Sequence, residues 1–372
     1  MLNIGIDGRL VSYRMGGIAR YTIRLTRALA RVDHENTYWF FLHRRAPKKH
    51  IVDAPNFRTV TMLTPTHHPL EQFLLWLELK RFPLDVLHSP DFIPPLYNIR
   101  ARRVITVHDL AFMRYPHLLT RSAARYYGQI DRAVRKADHI IAVSQSTRND
   151  LLNLLGVPES KITVIYEAAD EVFRPLPDDE VEREIQERYH LSPGYILFVG
   201  TIEPRKNLNT LLLAYHGLRV QYNLDPPLVF AGEHGWLADE IYSLVDELSL
   251  NDRCHFLGRV STQELVYLYN GARIYAHPAL YEGFGLPPLE AMACGTPAIV
   301  SNISSLPEIV DDAALLVDPT DVEAWTTAMH RLLTDDALWQ ELRDKGLQRA
   351  AQFSWERAAR ETLDVYHKVV QV

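Results

Sequence analysis

The chain has 372 residues, of which 47% are hydrophobic and 23% are charged. This composition is ordinary for a globular protein, gives enough apolar side chains for two cores, and excludes a disordered or fibrous chain. The formal net charge of −6 is divided unevenly. Residues 1–170 carry 24 Lys and Arg against 15 Asp and Glu, and the remaining residues carry 16 against 31. The basic first half favours an anionic partner or membrane surface, although the same charges are equally compatible with solvated faces.

The two cysteines, Cys254 and Cys294, lie in apolar stretches. We expect them to be unbridged, as in a reducing compartment. The sequence has no Cys or His spacing typical of a metal site, so no metal cofactor is expected. The chain begins in a strand-like run without the pattern of a signal peptide, and its most apolar helical run, residues 73–80, is too short to span a bilayer. The expected location is the cytoplasm, with a peripheral position at the inner face of the membrane left open.

Strand-like runs alternate with helical periodicity through the first half of the chain. This alternation predicts a parallel α/β architecture. The predicted strands cover residues 3–7, 38–42, 58–62, 85–88, 104–108, 140–144 and 162–165. The clearest predicted helices between them cover residues 18–32, 121–136 and 146–155.

The second half repeats this scheme after a break. Residues 167–177 lack periodicity and contain prolines, which predicts a linker, and a very acidic helical run follows at 178–189. Further strands are predicted at residues 195–200, 228–232, 255–258, 274–277, 298–301 and 315–317. We therefore predict two Rossmann-like domains, residues 1–175 and 190–354, with a final helix at 355–372 that packs back on the first. Since open α/β sheets bind ligands at the carboxyl ends of their strands, the site is expected in a cleft between the domains.

The richest motif is the segment 277–297, which leads from a strand into a helix. Gly283-Phe284-Gly285 can expose backbone N–H groups, and together with the N-terminus of the helix they form a candidate anion site. Glu282 and Glu290 flank this loop. The structural alternative is a glycine-rich turn in which Glu290 is a favourable charge in the first turn of the helix.

A second candidate is the adjacent pair Arg205 and Lys206, just before a helix predicted to start at about Asn207. Cations at the N-terminus of a helix oppose its dipole, and a bound anion would relieve this conflict. A solvated basic turn is the alternative.

In the first half, Gly16-Gly17 lies between the first strand and a helix, where paired glycines allow a ligand to approach the backbone closely. The first turn offers only Gly5 and Gly8, which departs from the dinucleotide-binding fingerprint and weighs against a nicotinamide-dependent dehydrogenase.

His108, followed by Asp109, ends another strand at the predicted cleft. A role in the site and a structural hydrogen-bonding role are both open for His108. His88 ends a strand in the same way.

Taken together, these segments resemble a known family. Glu282 and Glu290 match the E-x7-E signature of the family 4 glycosyltransferases, which have the GT-B fold. The resemblance extends through Gly16-Gly17, His108-Asp109, residues 199–206, Gly232 and the start of the final helix, so it covers nearly the whole chain. It implies transfer of a sugar from a nucleotide diphosphate donor, with retention at the anomeric carbon and without a metal ion.

The resemblance also implies roles for individual residues. Arg205 and Lys206 would hold the donor diphosphate, and Glu290 would bind the ribose. Glu282 would contact the sugar hydroxyls, and His108 would lie beside the transferred sugar. The catalytic residues implied are His108, Glu282, Arg205 and Lys206. The donor-binding residues implied are Gly16, Gly17, Lys206, Arg205, Gly283, Phe284, Gly285, Leu286, Glu290, Gly232 and Val260.

One position departs from the family pattern. Many members have Arg after the glycine that ends the first strand of the second domain, whereas this chain has Thr201. Arg205 is the candidate to supply that charge, and a differently arranged phosphate clamp is the alternative.

The donor and acceptor follow from the versions of these motifs, which are similar to those of mannosyltransferases in polysaccharide biosynthesis. GDP-mannose is the expected donor, followed by a UDP-sugar, and the expected acceptor is a glycan or a lipid-linked glycan. No nucleic-acid partner is expected. The basic segment from Arg44-Arg45 to Lys48-Lys49 is a candidate membrane contact or a solvated loop. The alternatives are a nucleotide-sugar epimerase of similar architecture, a sugar phosphorylase, and an inactive nucleotide-sugar-binding protein.

Overall fold

A computed structural model of the protein describes residues 1–12, 16–47, 52–66, 68, 70–97, 99–116, 121–235 and 238–371. The chain forms two compact units. One consists of Met1–Glu167 with Ser354–Val372, and the other consists of Ala168–Phe353. Each unit contains one sheet of parallel strands flanked by helices, which confirms the predicted α/β fold class.

The sheet of the first unit has seven strands in the order β3-β2-β1-β4-β5-β6-β7. The strands are β1 (Asn3–Asp7), β2 (Thr37–His43), β3 (Phe57–Met62), β4 (Val86–Ser89), β5 (Arg102–Val107), β6 (His139–Ala142) and β7 (Ile162–Val164). Strands in the middle are apolar on both faces, because helices cover both sides of a parallel sheet. In β5, for example, Val104, Ile105 and Val107 are all fully buried.

The helices of this unit up to β7 are α1 (Gly17–Val32), α2 (Glu71–Leu79), α3 (Ala111–Arg114), α4 (Arg121–Tyr127), α5 (Ile130–Lys136) and α6 (Gln145–Leu155). The single helix predicted over residues 121–136 is wrong, since α4 and α5 are separate. Gly128 lies at the break, where glycine disfavours helix continuation. The next amide, that of Gln129, bonds three residues back to the carbonyl of Tyr126 at 3.2 Å.

The sheet of the second unit has six strands in the order β10-β9-β8-β11-β12-β13. The strands are β8 (Tyr195–Val199), β9 (Leu228–Ala231), β10 (Cys254–Gly258), β11 (Ala272–His277), β12 (Ala298–Ser301) and β13 (Ala314–Val317). Its helices are α7 (Asp178–Tyr189), α8 (Leu208–Tyr222), α9 (Asp239–Glu247), α10 (Thr262–Gly271), α11 (Leu286–Ala293), α12 (Leu306–Val310), α13 (Val322–Thr334) and α14 (Asp336–Ala350).

The acidic helix α7 is part of the second unit, although the sequence pattern placed the start of that domain after it. Two side-chain hydrogen bonds join α7 to α10. The Tyr267 hydroxyl donates to Glu180 at 3.0 Å, and the Tyr189 hydroxyl donates to Glu264 at 3.1 Å. Together with the buried side chains of Val181 and Ile185, these bonds hold a helix with few apolar residues on the unit.

The final helix, α15 (Trp355–Gln371), packs on α1 in the first unit. Its Tyr366 hydroxyl lies 2.6 Å from Nδ1 of His88 at the end of β4, and Nε2 of His88 lies 2.8 Å from the Thr106 hydroxyl of β5. Burial lowers the pKa of His88 to about 3, so its imidazole is neutral. His88 therefore joins the last helix to the sheet.

Among the described residues, no helix combines the length and the apolar character needed to cross a membrane.

Tyr366→Phe is expected to destabilise the protein by roughly 1–3 kcal/mol, because it leaves a buried ring nitrogen of His88 without its partner. Urea unfolding followed by circular dichroism measures this loss. Tyr97→Phe is a matched control, since the Tyr97 side chain is 47% exposed and its stability change should be close to zero. Equal stability of the two variants would contradict the role given to the His88 contact.

Candidate functional site

The loop before α11 is shaped by Gly285. This residue caps α11 with a φ of 110°, a backbone conformation that side chains with a Cβ rarely adopt. A Cβ here would also lie 3.0 Å from Leu306. The helix begins at Leu286. Its first turn tolerates the two prolines that follow, because N–H groups in the first turn have no intrahelical acceptor and their absence costs nothing. The predicted strand-to-helix turn is therefore present.

Glu282 is the centre of a buried ionic network in this loop. Its Oε1 accepts hydrogen bonds from Lys206 and from Nε2 of His277, the latter at 2.9 Å, and its Oε2 accepts from Arg205 at 3.2 Å. Nδ1 of His277 lies 2.8 Å from the Tyr275 hydroxyl. The structure thus brings two predicted site residues, Arg205 and Lys206, to the carboxylate of a third, Glu282, and adds His277, which the sequence pattern did not single out.

The network fixes the charge of each group. Burial raises the pKa of Glu282, but the positive charges of Lys206 and Arg205 and the bond from His277 outweigh burial and hold that pKa well below its usual range. Burial lowers the pKa of His277 despite the opposing effect of Glu282, which makes a neutral imidazole the stable form. A carboxylate with a depressed pKa stabilises the fold above its ordinary pKa, and this contribution is lost as the pH falls through the lowered value.

Arg205 and Lys206 lie in a short 3-10 turn, Pro204–Lys206, between β8 and α8. Arg205 also donates to the carbonyl of Tyr281 at 2.7 Å and to Glu203 at 2.8 Å. Lys206 is only 7% exposed. A solvated basic turn does not fit these contacts, because both cations are directed at one buried acid.

Glu290 is buried in α11, where the Tyr269 hydroxyl donates to it at 2.9 Å. It is the fifth residue of the helix, so the alternative in which it is a charge in the first turn is wrong. Its carboxylate and that of Glu282 are supplied by the same strand-to-helix segment.

Two further predicted donor-binding residues lie at neighbouring strand ends. Gly232 follows β9, and a Cβ on it would lie 1.9 Å from the carbonyl oxygen of Gly200, so packing alone requires glycine here. Val260 follows β10 and is half-buried. Thr201, the departure from the family pattern, is half-buried after β8 and leaves Arg205 and Lys206 as the adjacent cations of this turn.

In the first unit, Gly16 caps α1 and Gly17 is its first residue. A Cβ on either glycine would meet no atom of the described residues within 4 Å, so the packing of this described part of the chain does not require glycine at these positions. The first turn of α1 contains no acidic residue. Both properties leave room for a ligand at this helix end.

His108 follows β5 and contacts an acid that the sequence analysis missed. Its Nδ1 lies 3.0 Å from Glu167, and its Nε2 lies 2.9 Å from the carbonyl oxygen of Pro90. The segment around Glu167 lacks periodicity, which predicts a linker and gives Glu167 no role in a site. The sequence signal for a site role of Glu167 is its position shortly after β7, at the carboxyl edge of the sheet. Asp109 has a local role, since it accepts from the amide of Ala111 at 3.0 Å at the start of α3.

In the basic segment of the first unit, Arg44 and Arg45 are exposed, while Lys48 and Lys49 lie outside the described residues. No group of three or more His, Cys, Asp or Glu side chains suited to a metal ion occurs in the described part of the chain.

Comparisons with known proteins identify the family of the chain. The model of Glycosyltransferase Family 4 matches residues 15–172, and that of Glycosyl transferases group 1 matches residues 181–352. O-antigen chain mannosyltransferase B from Escherichia coli is 32% identical over 377 residues, which cover 96% of this chain and 97% of that protein. The chain therefore belongs to the family 4 glycosyltransferases of group 1, and it is a glycosyltransferase.

Solved structures share the fold. A sucrose-phosphate synthase from Thermosynechococcus elongatus superposes with a TM-score of 0.80 at 22% identity, over 99% of both chains. The Anabaena protein HepE, solved in complex with UDP and glucose, superposes with a TM-score of 0.78 at 17% identity, over 98% of this chain and 99% of HepE. These likenesses show the GT-B fold.

Lys206→Met is expected to destabilise the second unit by about 3 kcal/mol, because it removes one of the two cations that pair with a buried carboxylate. The double variant Lys206→Met with Glu282→Gln should recover part of this loss, since the underpaired carboxylate is gone and Arg205 keeps its ion pair with Glu203. Urea unfolding of the single and double variants measures the difference.

Lys345→Met is the matched control, since Lys345 forms its ion pairs with Asp312 and Glu341 on the surface, where pairs contribute little. If Lys206→Met is no less stable than this control, the carboxylate of Glu282 does not depend on Lys206.

Proposed function

We propose that this glycosyltransferase is a mannosyltransferase that transfers mannose from GDP-mannose to a glycan or lipid-linked glycan, with retention at the anomeric carbon. A UDP-sugar is the second choice of donor. The observation that carries the proposal is the buried network of Glu282, Lys206 and Arg205, which lies at the loop before α11. The similarity of the chain, over nearly its whole length, to an O-antigen chain mannosyltransferase supports the same proposal.

The cations are suited to a leaving group whose negative charge grows. When the bond between the sugar and the diphosphate breaks, charge accumulates on the phosphate oxygens, and donors already in place stabilise it without reorganisation. Glu282 holds Arg205 and Lys206 in position before any ligand arrives. Loss of one such donor costs about 3–4 kcal/mol in the transition state.

The backbone of the same loop adds to this stabilisation. The N–H groups from Gly283 to Leu286 precede or open α11, and the positive end of its dipole favours phosphate. In the proposed arrangement Glu290 binds the ribose hydroxyls and Glu282 contacts the sugar. Gly16 and Gly17 would let the phosphates or the acceptor approach the end of α1, where the structure leaves space for an added atom.

For the chemical step we propose substitution at the front face. The acceptor hydroxyl attacks C1 of the sugar from the side on which the diphosphate departs. The bond from C1 to the phosphate oxygen breaks as the new glycosidic bond forms, and the departing phosphate oxygen takes the proton of the acceptor. This course preserves the configuration at C1 and needs no dedicated protein base.

In the proposed assignment the first unit serves the acceptor and the second binds the donor, and a metal ion is not required. The positive charge of the first half would favour an anionic membrane that holds a lipid-linked acceptor. Activity in the presence of EDTA tests whether the transfer requires a metal ion. Nuclear magnetic resonance of the product tests whether the anomeric configuration is retained. An inverted product would overturn the front-face course.

Titration with GDP, UDP, ADP and their sugar conjugates is expected to raise the melting temperature with one nucleotide class, because a ligand that binds only the folded protein stabilises it. Lys206→Ala and Glu290→Ala should abolish this rise, and Lys206→Ala should lower kcat by about 10²–10³-fold. Lys345→Ala, on the surface of α14, is the control, and it should keep both the rise in melting temperature and the kcat of the unaltered protein.

A clear rise with a guanine nucleotide and transfer from GDP-mannose would support the mannosyl assignment, and a rise with UDP alone would replace it by a UDP-sugar. An isomerised nucleotide sugar formed without acceptor would instead indicate an epimerase. No rise with any nucleotide at millimolar concentration would overturn the donor site.

A further inference from the structure

The first unit holds its own buried ion pair at the carboxyl edge of the sheet. His108 follows β5, and its ring keeps 14% exposure, while the Glu167 side chain is 4% exposed. Both ring nitrogens face oxygen atoms, Nδ1 the Glu167 carboxylate at 3.0 Å and Nε2 the Pro90 carbonyl at 2.9 Å. A carbonyl oxygen can only accept, and so can an ionised carboxylate. A neutral imidazole has a single N–H, so only the doubly protonated ring satisfies both contacts.

The surrounding charges favour the same form. Burial lowers the pKa of His108, but the bond and the charge of Glu167, the Pro90 carbonyl and the charge of Asp91 outweigh burial and raise it. His88 on the neighbouring strand is neutral, so it adds no opposing positive charge. The Tyr21 ring packs edge-on against the imidazole, with centroids 4.7 Å apart. The ring is thus fixed on three sides.

We propose that Glu167 is a positioning residue for the transfer reaction, which keeps His108 as an imidazolium and fixes the plane of its ring. Of the two acceptors, the neutral Pro90 carbonyl is the weaker, since hydrogen bonds between charged partners are stronger. A negatively charged phosphate oxygen can therefore replace Pro90 at Nε2 while Glu167 holds Nδ1. This inference rests on the proposed function, because it assigns the replacing oxygen to the nucleotide-sugar donor.

The sign of the pH dependence follows from the raised pKa. The imidazolium is complete at low pH, and it is lost as the pH rises through the raised pKa of His108. If the charged ring serves the transfer, kcat falls along the same alkaline limb. Glu167→Gln keeps the size of the side chain and removes its charge, so both the titration and the limb should move to lower pH.

The test follows the titration of His108 by nuclear magnetic resonance of isotope-labelled histidine, with the signal assigned by its loss in His108→Gln. In Glu167→Gln the pKa of His108 is expected to fall by about 1 to 3. Glu167→Asp keeps the charge but shortens the side chain, and it should lower that pKa less. Asp33→Asn is the matched control. Asp33 is a buried carboxylate of the same unit that follows α1 and bonds Tyr38, at the opposite edge of the sheet.

The pH profile of kcat for the same variants tests the link to transfer. The inference is supported if the alkaline limb moves with the pKa of His108 in the Glu167 variants and stays in place in Asp33→Asn. An unchanged pKa in Glu167→Gln, or an equal fall in the control, overturns the ion pair. A lowered pKa with an unmoved limb overturns the role in transfer.

The two proposals can fail separately. The titration requires no substrate, so it decides whether Glu167 holds the imidazolium even if no donor supports transfer. Absence of transfer from every nucleotide sugar would contradict the proposed function instead. A melting curve for each variant shows whether it is folded, and Glu167→Asp provides the comparison if Glu167→Gln does not fold.

Discussion

The buried carboxylate of Glu282 is the contact on which the arrangement of the second unit's site depends. An acid removed from water must be paired, and here two cations and a neutral histidine surround it. Arg205 and Lys206 come from the turn after β8, whereas Glu282 and His277 come from β11 and the loop beyond it. The ion pair therefore joins two strand ends and holds two positive charges at the carboxyl edge of the sheet. The contacts with Glu282 hold the side chains of Arg205 and Lys206 in fixed positions, although the turn that carries them is short.

The first unit has a comparable buried contact. There His108 lies 3.0 Å from the carboxylate of Glu167, an acid from the segment after β7. Glu167 is also the last residue of this unit before the chain enters the second, so the pair anchors the chain where it leaves the first unit. In both units, charge is collected at the carboxyl edge of a parallel sheet, where the loops are free to carry function while the strands are fixed by packing.

The glycines show how packing and function can be separated. Gly232 and Gly285 are required by the fold, since a Cβ on Gly232 would strike the carbonyl of Gly200 and Gly285 has a left-handed backbone. In the described part of the chain, no atom within 4 Å of an added Cβ requires glycine at Gly16 or Gly17. Gly16 is the N-cap of α1, a position at which glycine is common, so packing and capping together account for these glycines differently from Gly232 and Gly285.

By itself the sequence determined the α/β class, the thirteen strands, the segment from Glu282 to Glu290 and the resemblance to family 4, because these depend on local periodicity and on residues close together in the chain. The tertiary structure alone decided the partners. Lys206 and Glu282 are 76 residues apart, and His108 and Glu167 are 59 apart. Strand order sets which loops meet, and single-chain periodicity carries no record of that order. For the same reason the place of α7 and the structural role of His88 became evident only once the helices and strands were packed together.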